Sequence, residues 1–397
     1  MHIVFVGPFG LQPKKTVSGR ALPLAQALAR RGHRVRLVVP PWDWPADSGR
    51  IYYEGGVQVE NVLLPASLPG IAPGLIAGRL LRQVLAGRPD VVHCFKPKSY
   101  AGFAAWVLWW LKRAGLSESR LVIDTDDWEG SGGWNERSGY SRPARWLFAW
   151  QERWGLAHAD AVTVASRTLE SLAWSLGVRR LHYLPNGVTV LPHLPRRDQA
   201  RSFLALPAGA PVALICTRFV EIGPERLARL LTALVDRVSG LFVLVVGVGL
   251  RGEETCLRQS LTGQPQAERI RLAGWVERSV LPVYWAAADL ALYPCEDNLL
   301  VRCKSPLRLV ELMAAGLPIV AHRVGAVSEY IEDGLSGLTV EPGDDVAFAE
   351  SAVRLMGDDV LRGHLSEQSQ MRIEERFLWD KLAVRALAAY ERRAGQA

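Results

Sequence analysis

The chain has 397 residues, 49% of them hydrophobic, and carries a formal net charge of +7 at pH 7. Single hydrophobic cores stop growing at roughly 250–300 residues, so this length predicts two α/β domains. The positive charge predicts an anionic partner: a nucleotide diphosphate, acidic lipid head groups or nucleic acid. Because the sequence has no zinc-finger spacing, RRM signature or basic heptad segment, we predict no nucleic-acid partner.

The sequence also bears on location. It contains no run of about 18 uncharged apolar residues, the length that spans a bilayer. Met1 leads directly into a strand pattern, without the basic segment and cleavage site of a secretory leader. The five cysteines form no C-x-x-C pair, which fits a reducing compartment. These features predict a cytoplasmic protein.

The first half of the chain predicts a parallel sheet with helices on both faces. Apolar strands alternate with stretches of helix length, and a loop from Pro8 to Ser18 joins the first strand to the first helix. The predicted strands are HIVFVG, RVRLVVP, VQVENVLL, DVVHCF, RLVIDT and AVTVAS, and LHYLPNGV closes this half.

The second half repeats the alternation, which predicts a second doubly wound domain. Residues 189–211 are rich in Pro and Arg and are typical of an interdomain linker. The predicted strands of this half are PVALICT, LFVLVVG, IRLAG, LALYP and LPIVAH.

The loop after the first strand offers the first candidate ligand groups. Gly10 and its neighbours present backbone N–H groups, and a predicted helix N-terminus near Ser18 favours a phosphate or a polarised oxygen. The loop fits neither G-x-G-x-x-G nor the P-loop spacing, so nicotinamide and ATP chemistry are not indicated. Lys14, Lys15 and Arg20 either belong to this site or are solvated surface charges.

The segment from Asp124 to Trp134 places four carboxylates and two tryptophans directly after a predicted strand. Parallel sheets bind ligands at the carboxyl ends of their strands, so Asp124, Asp126, Asp127 and Trp128 are candidate site residues. The alternative is an acidic turn that caps a helix.

Two histidines also follow predicted strands. His93, with Lys96 and Lys98 beyond it, either positions a substrate or is a packed, hydrogen-bonded residue. His322 has no second histidine at ligand spacing, so we predict no metal site.

Nine of the 14 tryptophans fall between residues 106 and 174, and Trp146, Trp150 and Trp154 repeat at i, i+4 and i+8 on one helical stripe. Such a stripe is either an interior face or, given the arginines around it, an interfacial helix that meets anionic lipid. The second alternative would place the protein peripherally at the inner face of the membrane.

The most informative segment is residues 304–344. Its pattern predicts a short helix over Leu307–Ala315, ended by Gly316, and then a buried strand. Glu311 on this apolar helix must pair, face solvent or bind a ligand, since burying a bare carboxylate costs several kcal/mol. Glu329, after Gly325, opens another helix, where backbone N–H groups favour an anion or a hydroxyl-rich ligand.

This segment resembles the C-terminal half of retaining glycosyltransferases of family 4, whose pattern is E-x7-E followed by A-x-G-x-P-V-V and G-G-x-x-E. Glu311 matches the second glutamate, which in the family holds the donor ribose, and Glu329 matches the later one. Counting back eight residues from Glu311 reaches Cys303, so the first glutamate is absent. Glu296 or Asp297 is the candidate replacement.

A related S-P-x-K-x-x-E form of the family fits Ser305, Pro306 and Glu311, with Arg308 in place of lysine. Further resemblances occur along nearly the whole chain. They are PNGV at residues 185–188, GVGL at 247–250, RLAGWV at 271–276 and the closing FLWDKLAVRALAAYERR.

Arg218, in the TRF sequence after a predicted strand, resembles the arginine of the family's G-R-x-x-x-x-K loop. Cationic groups are needed there because negative charge grows on the leaving phosphates as the glycosidic bond breaks. Gly223 stands where the family has lysine, and Arg226 or Lys304 is the candidate source of the missing charge.

The resemblance implies the GT-B fold, an α/β architecture of two doubly wound Rossmann-like domains that face each other across a cleft. It predicts an N-terminal acceptor-side domain at residues 1–190 and a C-terminal nucleotide-sugar-binding domain at residues 191–375. It also predicts a last helix, residues 376–397, that crosses back onto the first domain.

The implied activity is that of a retaining, metal-independent glycosyltransferase. It would move a sugar from a nucleotide-diphosphate donor to a hydroxyl acceptor, either a glycan or a lipid-linked molecule, without a cofactor. A D-x-D metal motif at residues 124–126 is disfavoured, because the fold that uses it has one nucleotide-binding domain. Two alternatives stay open: a degenerate sugar- or nucleotide-binding module without turnover, and a GT-B sugar-nucleotide epimerase.

The predicted site residues form three sets, and none of them is a metal ligand. The catalytic set is Asp126, Asp127 and Arg218. The donor-binding set is Gly10, Arg218, Lys304, Arg308, Glu311, Gly325 and Glu329. The acceptor set is His93, Asp124 and Trp128.

Overall fold

The computed structural model describes residues 1–12, 16–66 and 71–391, so Lys14 and Lys15 of the first loop lie outside the described residues. The chain forms two compact units. Unit 1 contains Met1–Thr189, the tripeptide Cys303–Ser305 and the C-terminal segment from Leu378. Unit 2 contains Val190–Arg302 and Pro306–Phe377.

Unit 1 is built on an eight-stranded sheet in the order β3-β4-β2-β1-β5-β6-β7-β8. All neighbouring strands are parallel except β3 and β4. The central strands are buried apolar runs, as is usual for a sheet covered on both faces. The strands are β1 (His2–Val6), β2 (Arg34–Val39), β3 (Ile51–Glu54), β4 (Val57–Asn61), β5 (Val91–Phe95), β6 (Arg120–Thr125), β7 (Ala161–Val164) and β8 (Leu181–Tyr183).

The antiparallel edge corrects the expectation of a purely parallel sheet. Strand β3 was not predicted, because its side chains are mostly exposed and it lacks an apolar run. Gly55 and Gly56 both have positive φ and close a two-residue β-hairpin between β3 and β4.

The helices of the first 189 residues lie between these strands, and a short π-helical turn, Val17–Ala21, leads into the first of them. Ser141 and Ser166 cap two of the helices by accepting N–H groups of the first turn. The helices are α1 (Leu22–Arg30), α2 (Ala72–Leu85), α3 (Ser99–Arg113), α4 (Trp134–Arg137), α5 (Arg142–His158) and α6 (Arg167–Ser175).

Unit 2 is built on a six-stranded parallel sheet in the order β11-β10-β9-β12-β13-β14. The strands are β9 (Val212–Cys216), β10 (Phe242–Val246), β11 (Ile270–Gly274), β12 (Leu290–Tyr293), β13 (Ile319–His322) and β14 (Leu338–Val340). The helices are α7 (Arg197–Phe203), α8 (Pro224–Arg237), α9 (Glu253–Leu261), α10 (Leu281–Ala287), α11 (Leu299–Cys303), α12 (Leu307–Ala314), α13 (Val327–Tyr330), α14 (Asp345–Gly357) and α15 (Asp359–Arg376).

The segment predicted as a linker is structured. Helix α7 lies within it, and the buried Arg201 donates hydrogen bonds to the Asp289 carboxylate, at 2.9 Å, and to the Ala287 carbonyl. The linker prediction at residues 189–211 is therefore wrong for this helix, because a buried ion pair ties it to unit 2. Proline and arginine content alone does not reveal such a partner.

The last helix, α16 (Trp379–Tyr390), belongs to unit 1. Its Trp379 N–H donates to the Val188 carbonyl at 2.9 Å, and its apolar face joins the core beneath α1. Leu382 and Ala386 of this face are fully buried. Among the helices of the described residues, none is both long and apolar enough to span a membrane.

Candidate functional site

In unit 1, the loops that follow the parallel strands β5 and β6 bring charged side chains together. Lys96 follows β5, and its Nζ lies 2.8 Å from Asp126 Oδ1 and 2.6 Å from Asp127 Oδ2, both on the loop after β6. The Lys96 backbone has a left-handed φ of 51°, and its N–H donates to the Asp124 carbonyl. This bend turns the lysine toward the neighbouring loop.

The two aspartates beside Lys96 differ in proton affinity. Burial raises the pKa of Asp126 to about 6, against the attraction of Lys96. Burial also acts on Asp127, but the charge and hydrogen bond of Lys96 outweigh it, so the pKa of Asp127 is lowered. Asp127 therefore stays ionised in mildly acidic solution, whereas Asp126 takes up a proton there.

A second ion pair lies beside the first. Lys98 Nζ contacts Glu129 Oε1 at 2.5 Å, and the Glu129 N–H donates to the carboxyl group of Glu152 on α5. Glu152 is 1% exposed, and burial together with the charge of Glu129 raises its pKa to about 8. We call Lys96, Lys98, Asp126, Asp127, Glu129 and Glu152 the lysine–carboxylate cluster.

Asp124 occupies the interior of unit 1. Arg20 donates to both of its carboxylate oxygens, at 2.7 and 2.8 Å, and Thr163 donates to one of them at 2.6 Å. Arg20 also donates to Asn186 Oδ1 at 3.0 Å. Arg20 is 2% exposed, so the alternative of a solvated surface charge is wrong for it.

His93 lies against this network. Its Nδ1 is 2.6 Å from the Tyr390 hydroxyl, its ring stacks on Phe5, and burial lowers its pKa to about 4. This geometry is that of the packed, hydrogen-bonded histidine, which was one of the two alternatives. Trp128 is also buried, and its indole N–H donates to the Ser131 carbonyl. The three residues predicted for the acceptor thus all have partners inside unit 1.

Gly10 and Lys304, both predicted to approach the donor, also lie in unit 1. Gly10 is buried, and its N–H donates to Asp43 at 3.4 Å. Hydrogen bonds fix the residues on either side of Lys304. The Ser166 hydroxyl donates to the Cys303 carbonyl at 2.8 Å. The backbone N–H and the side-chain amide of Asn186 donate to the hydroxyl and the carbonyl oxygen of Ser305. The charge of Lys304 contributes to the lowered pKa of Asp127, so the structure brings Lys304 near the lysine–carboxylate cluster.

In unit 2, Glu311 is the buried carboxylate of an arginine cluster. It is 6% exposed, and its two oxygens accept from Arg278 at 2.9 Å and from Arg308 at 2.7 Å. The Arg278 side chain is 62% exposed, and that of Arg308 is partly exposed. Both arginine side chains are therefore partly exposed to solvent while they hold the buried carboxylate. We call Arg278, Arg308 and Glu311 the arginine–glutamate cluster.

Arg218 is exposed on the loop after β9. The next residue, Phe219, has a left-handed φ of 58°, and its N–H donates to Thr217 Oγ1 at 2.8 Å, which fixes a tight bend at Arg218. At Gly247, on the loop after β10, a Cβ atom would lie 1.8 Å from the Thr217 carbonyl oxygen, so only glycine permits this approach. Both Arg308 and Glu311 influence the pKa of Cys216, the last residue of β9, so this loop begins near the arginine–glutamate cluster.

Gly325 and Glu329, the remaining residues predicted to bind the donor, lie on the loop after β13 and on the helix α13 that follows it. Gly325 has φ +50°, and a Cβ atom there would lie 2.4 Å from the Arg302 carbonyl oxygen. Glu329 lies on the short helix α13, whose end is held by Arg372 through the Glu329 and Tyr330 carbonyls. The glycine therefore lets the loop after β13 pack against the end of α11.

The unit 2 residues predicted to replace the missing family glutamate and lysine form hydrogen bonds or ion pairs with other residues of that unit. Glu296 Oε1 accepts the Gly223 N–H at 2.9 Å, and Asp297 pairs with Arg302. Arg226 forms an ion pair with Asp345 at 2.6 Å, so a carboxylate already balances its charge. Within the described parts of the chain, no three His, Cys, Asp or Glu side chains group as they would around a metal ion.

Family models match most of the chain. Residues 16–187 match the glycosyl transferase 4-like domain, and residues 210–358 match glycosyl transferases group 1. The chain belongs to glycosyltransferase family 4. Its class of activity is therefore sugar transfer.

Individual relatives agree with this assignment. The chain is 26% identical to the phosphatidyl-myo-inositol mannosyltransferase of Mycobacterium leprae, over 98% of this chain and 96% of that protein. It is 29% identical to the D-inositol 3-phosphate glycosyltransferase of Xylanimonas cellulosilytica, over 59% of this chain but only 57% of that relative's length.

A solved structure confirms the predicted GT-B fold. Anabaena HepE in complex with UDP superimposes with a TM-score of 0.69 at 18% identity, over 98% of this chain and 99% of that one. The two parallel-sheet α/β units of this glycosyltransferase family 4 member match that architecture.

Several residues of these clusters were missed from sequence. Arg278 carries no pattern of its own, and only the RLAGWV resemblance places it near a landmark. Glu152 is preceded and followed by polar residues in a tryptophan-rich helix, so nothing in the sequence marks it as buried. The sequence places Lys96 and Lys98 just beyond His93, but it does not reveal their pairing with Asp126, Asp127 and Glu129, which is a long-range contact.

Proposed function

We propose that this protein transfers a glycosyl group, with retention of anomeric configuration, from a nucleotide-diphosphate sugar to a hydroxyl acceptor. The observation that carries the proposal is Glu311, a buried carboxylate held by two partly exposed arginines near the loop of Arg218. Ribose hydroxyls pair with a fixed carboxylate, and phosphates pair with guanidinium groups. Family membership and the UDP bound to Anabaena HepE support the same class of donor.

In this proposal unit 2 binds the donor. Glu311 accepts from the ribose hydroxyls, Arg308 and Arg218 contact the diphosphate, and the turn at Gly325 with Glu329 borders the sugar. Arg218 has the main role at the leaving group, since negative charge grows on the diphosphate as the glycosidic bond breaks. The donor-binding roles of Gly10 and Lys304 stay predictions of the family resemblance. The reaction needs no metal in this scheme, because cationic side chains balance the charge.

Unit 1 receives the acceptor in this proposal. Asp126 and Asp127 follow the C-terminal end of β6, where ligands of parallel sheets bind, and Lys96 holds both carboxylates in fixed positions. With a pKa of about 6, Asp126 is largely ionised at pH 7 and accepts a hydrogen bond from a hydroxyl group. Its role is to orient the acceptor hydroxyl or the donor sugar.

One relative supports a choice of acceptor class. The name of the Mycobacterium leprae relative contains a phosphatidylinositol, which is a lipid-linked polyol. We infer that this protein uses a lipid-linked or glycan hydroxyl on the cytoplasmic side of a membrane.

A donor screen tests the proposal. Thermal shift with UDP-, GDP- and ADP-sugars should raise the melting temperature for at least one of them, because ligand at about 100 times its Kd adds ~2.7 kcal/mol of stability. The shift should disappear in Glu311→Ala. Incubating that donor with membrane lipid extract should then give a glycosylated product, whose anomeric configuration is read by NMR.

One observation favours a second candidate. Cys303 replaces the family's first glutamate, and its carbonyl accepts from Ser166 inside unit 1. A donor that binds without any product would therefore indicate a binding module without turnover. Conversion of the sugar nucleotide without acceptor would indicate an epimerase, and no binding to any sugar nucleotide would contradict both the transferase and the donor site.

A further inference from the structure

Helices α3 and α5 of unit 1 carry an extended aromatic surface, in which Trp146 lies one helical turn before Trp150. Trp109 of α3 contacts Trp154 of α5 with ring centroids 5.5 Å apart, and Trp154 contacts Trp150 at 6.2 Å. On α3 the ring contacts continue at 4.9 to 6.4 Å. We call this surface the tryptophan face; its members are Phe103, Trp106, Trp109, Trp110, Trp146, Trp150 and Trp154.

Much of this face is exposed to solvent. Trp146 is 70% exposed and Trp110 is 52% exposed, and Phe103 and Trp150 are also exposed. The alternative of an interior face is therefore wrong for Trp146 and Trp150, the first two members of the predicted stripe. Large aromatic side chains grouped in water mark an interaction surface.

The solvent-exposed charges on helices α3 and α5 are positive. Helix α3 contains no carboxylate, and α5 contains only Glu152, which is 1% exposed. Arg142, Arg145 and Arg153 are exposed on α5, and Arg113 of α3 lies over the Trp109 ring at 5.1 Å. The tryptophan face is thus an aromatic surface bordered by cations.

Charge complementarity indicates which partner binds the tryptophan face. Tryptophan rings prefer the head-group level of a bilayer, and nearby arginines attract anionic lipids. A second copy of the same face would bring arginines against arginines in an isologous interface, which disfavours self-association. The combination of aromatic rings, cations and no exposed carboxylate on either helix matches an anionic bilayer.

We propose that unit 1 docks on an anionic phospholipid bilayer through the tryptophan face, with α3 and α5 lying along the interface. Helix α3 begins at Ser99, directly after Lys98 of the lysine–carboxylate cluster. Membrane contact and the proposed acceptor loops therefore share one helix, which suits a lipid-linked acceptor. Membrane binding requires no sugar transfer, so this inference and the proposed function can fail separately.

Vesicle flotation with the full chain tests the inference. Vesicles containing phosphatidylglycerol should carry the protein at low salt, vesicles of phosphatidylcholine alone should carry little, and added salt should release it. Tryptophan fluorescence should shift to the blue on binding. Equal binding to both vesicle types, or no binding to either, would overturn the inference.

Two independent double variants locate the contact. Trp146→Ser with Trp150→Ser should weaken partitioning at least tenfold, and Arg142→Glu with Arg153→Glu should abolish it at low salt. All four side chains are exposed, so melting temperatures should stay unchanged. Unchanged binding in both folded variants would contradict the assigned face.

Matched controls separate the face from general surface effects. Trp174→Ser changes an exposed tryptophan on α6, and Arg229→Glu with Arg237→Glu reverses two exposed charges on α8. These variants should bind anionic vesicles as the wild type does. If sedimentation instead shows a dimer that only the Trp146→Ser and Trp150→Ser variant loses, a second copy is the occupant and the membrane assignment is wrong.

Discussion

The two charged clusters of this glycosyltransferase differ in how their cations are placed. In unit 1, Lys96 and Lys98 are buried and form ion pairs with carboxylates of the same unit. In unit 2, Arg278 and Arg308 hold a buried glutamate, but their own side chains are partly exposed to solvent. The first arrangement fixes two loops, whereas the second leaves cations available to an anion.

This difference predicts different mutational consequences. Removing one partner of a buried ion pair leaves the other charge without compensation and costs stability. Removing an exposed cation costs little stability but removes a ligand contact. The comparison is strengthened if variants of unit 1 mainly lose stability and variants of unit 2 mainly lose donor binding or turnover.

The largest effect is expected for Lys96→Met, which leaves Asp126 and Asp127 buried without their cation. The free energy of unfolding should fall by about 3–5 kcal/mol. Most of the 14 tryptophans lie in unit 1, so their fluorescence during urea unfolding reports this unit. Lys112→Met, which breaks the more exposed pair with Asp160, is the control and should cost at most about 1 kcal/mol. Equal losses in the two variants would refute the contrast drawn for unit 1.

Arg218→Ala should mainly affect catalysis. Loss of one donor to the developing charge lowers kcat by about 10²–10³-fold, or ~2.7–4 kcal/mol of barrier. The melting temperature should not change, because the side chain is exposed. Arg229→Ala, an exposed arginine of the same unit, should leave kcat unaltered. A normal kcat for Arg218→Ala would remove this residue from the leaving-group site.

Glu311→Gln should weaken donor binding. A hydrogen bond to a charged group is worth about 1.5–3 kcal/mol, so the donor Kd measured by calorimetry should rise roughly 10- to 100-fold. Glu341→Gln is the matched control, since Glu341 also pairs with an arginine but is exposed. If the Kd is the same for both variants, the arginine–glutamate cluster is not the ribose site.

The smallest effect concerns pH. Glu152 has a pKa raised from 4.5 to about 8 in the folded protein, so its contribution to stability is present below pH 4.5 and is lost as pH rises through 8. Between pH 7 and 8 the wild type should lose about 1 kcal/mol more than Glu152→Gln does. The difference is measured by urea unfolding of both proteins at several pH values. Parallel pH profiles would mean that Glu152 is ionised throughout.

Much of the fold was predictable because it depends on local patterns. Apolar runs of strand length appear in the structure as the central strands β1, β2, β5 and β6 of unit 1 and β9 to β13 of unit 2. The exposed edge strand β3 and the short β14 were missed, since edge strands bury too few side chains to show an apolar run. Helix α7 was not predicted either. The contact that stabilises it, from Arg201 to Asp289, joins residues 88 positions apart and leaves no local pattern.

The candidate site was less predictable than the fold. Glu311 stood out because a carboxylate on an apolar helix needs a partner, but the sequence did not identify Arg278 as that partner. The acidic segment that begins at Asp124 was also evident, yet its residues separate in the structure. Asp124 turns inward to Arg20, whereas Asp126 and Asp127 meet Lys96.

The sequence by itself determined the two α/β halves, the family and the segment that carries Glu311, because periodicity and motif spacing are local properties. The tertiary structure decided which cation meets which carboxylate, and it decided that Trp146 and Trp150 face solvent. Those outcomes depend on distances between residues far apart in the chain. Burial then sets the pKa values of Asp126 and Glu152, because the cost of a charge depends on the atoms packed around it.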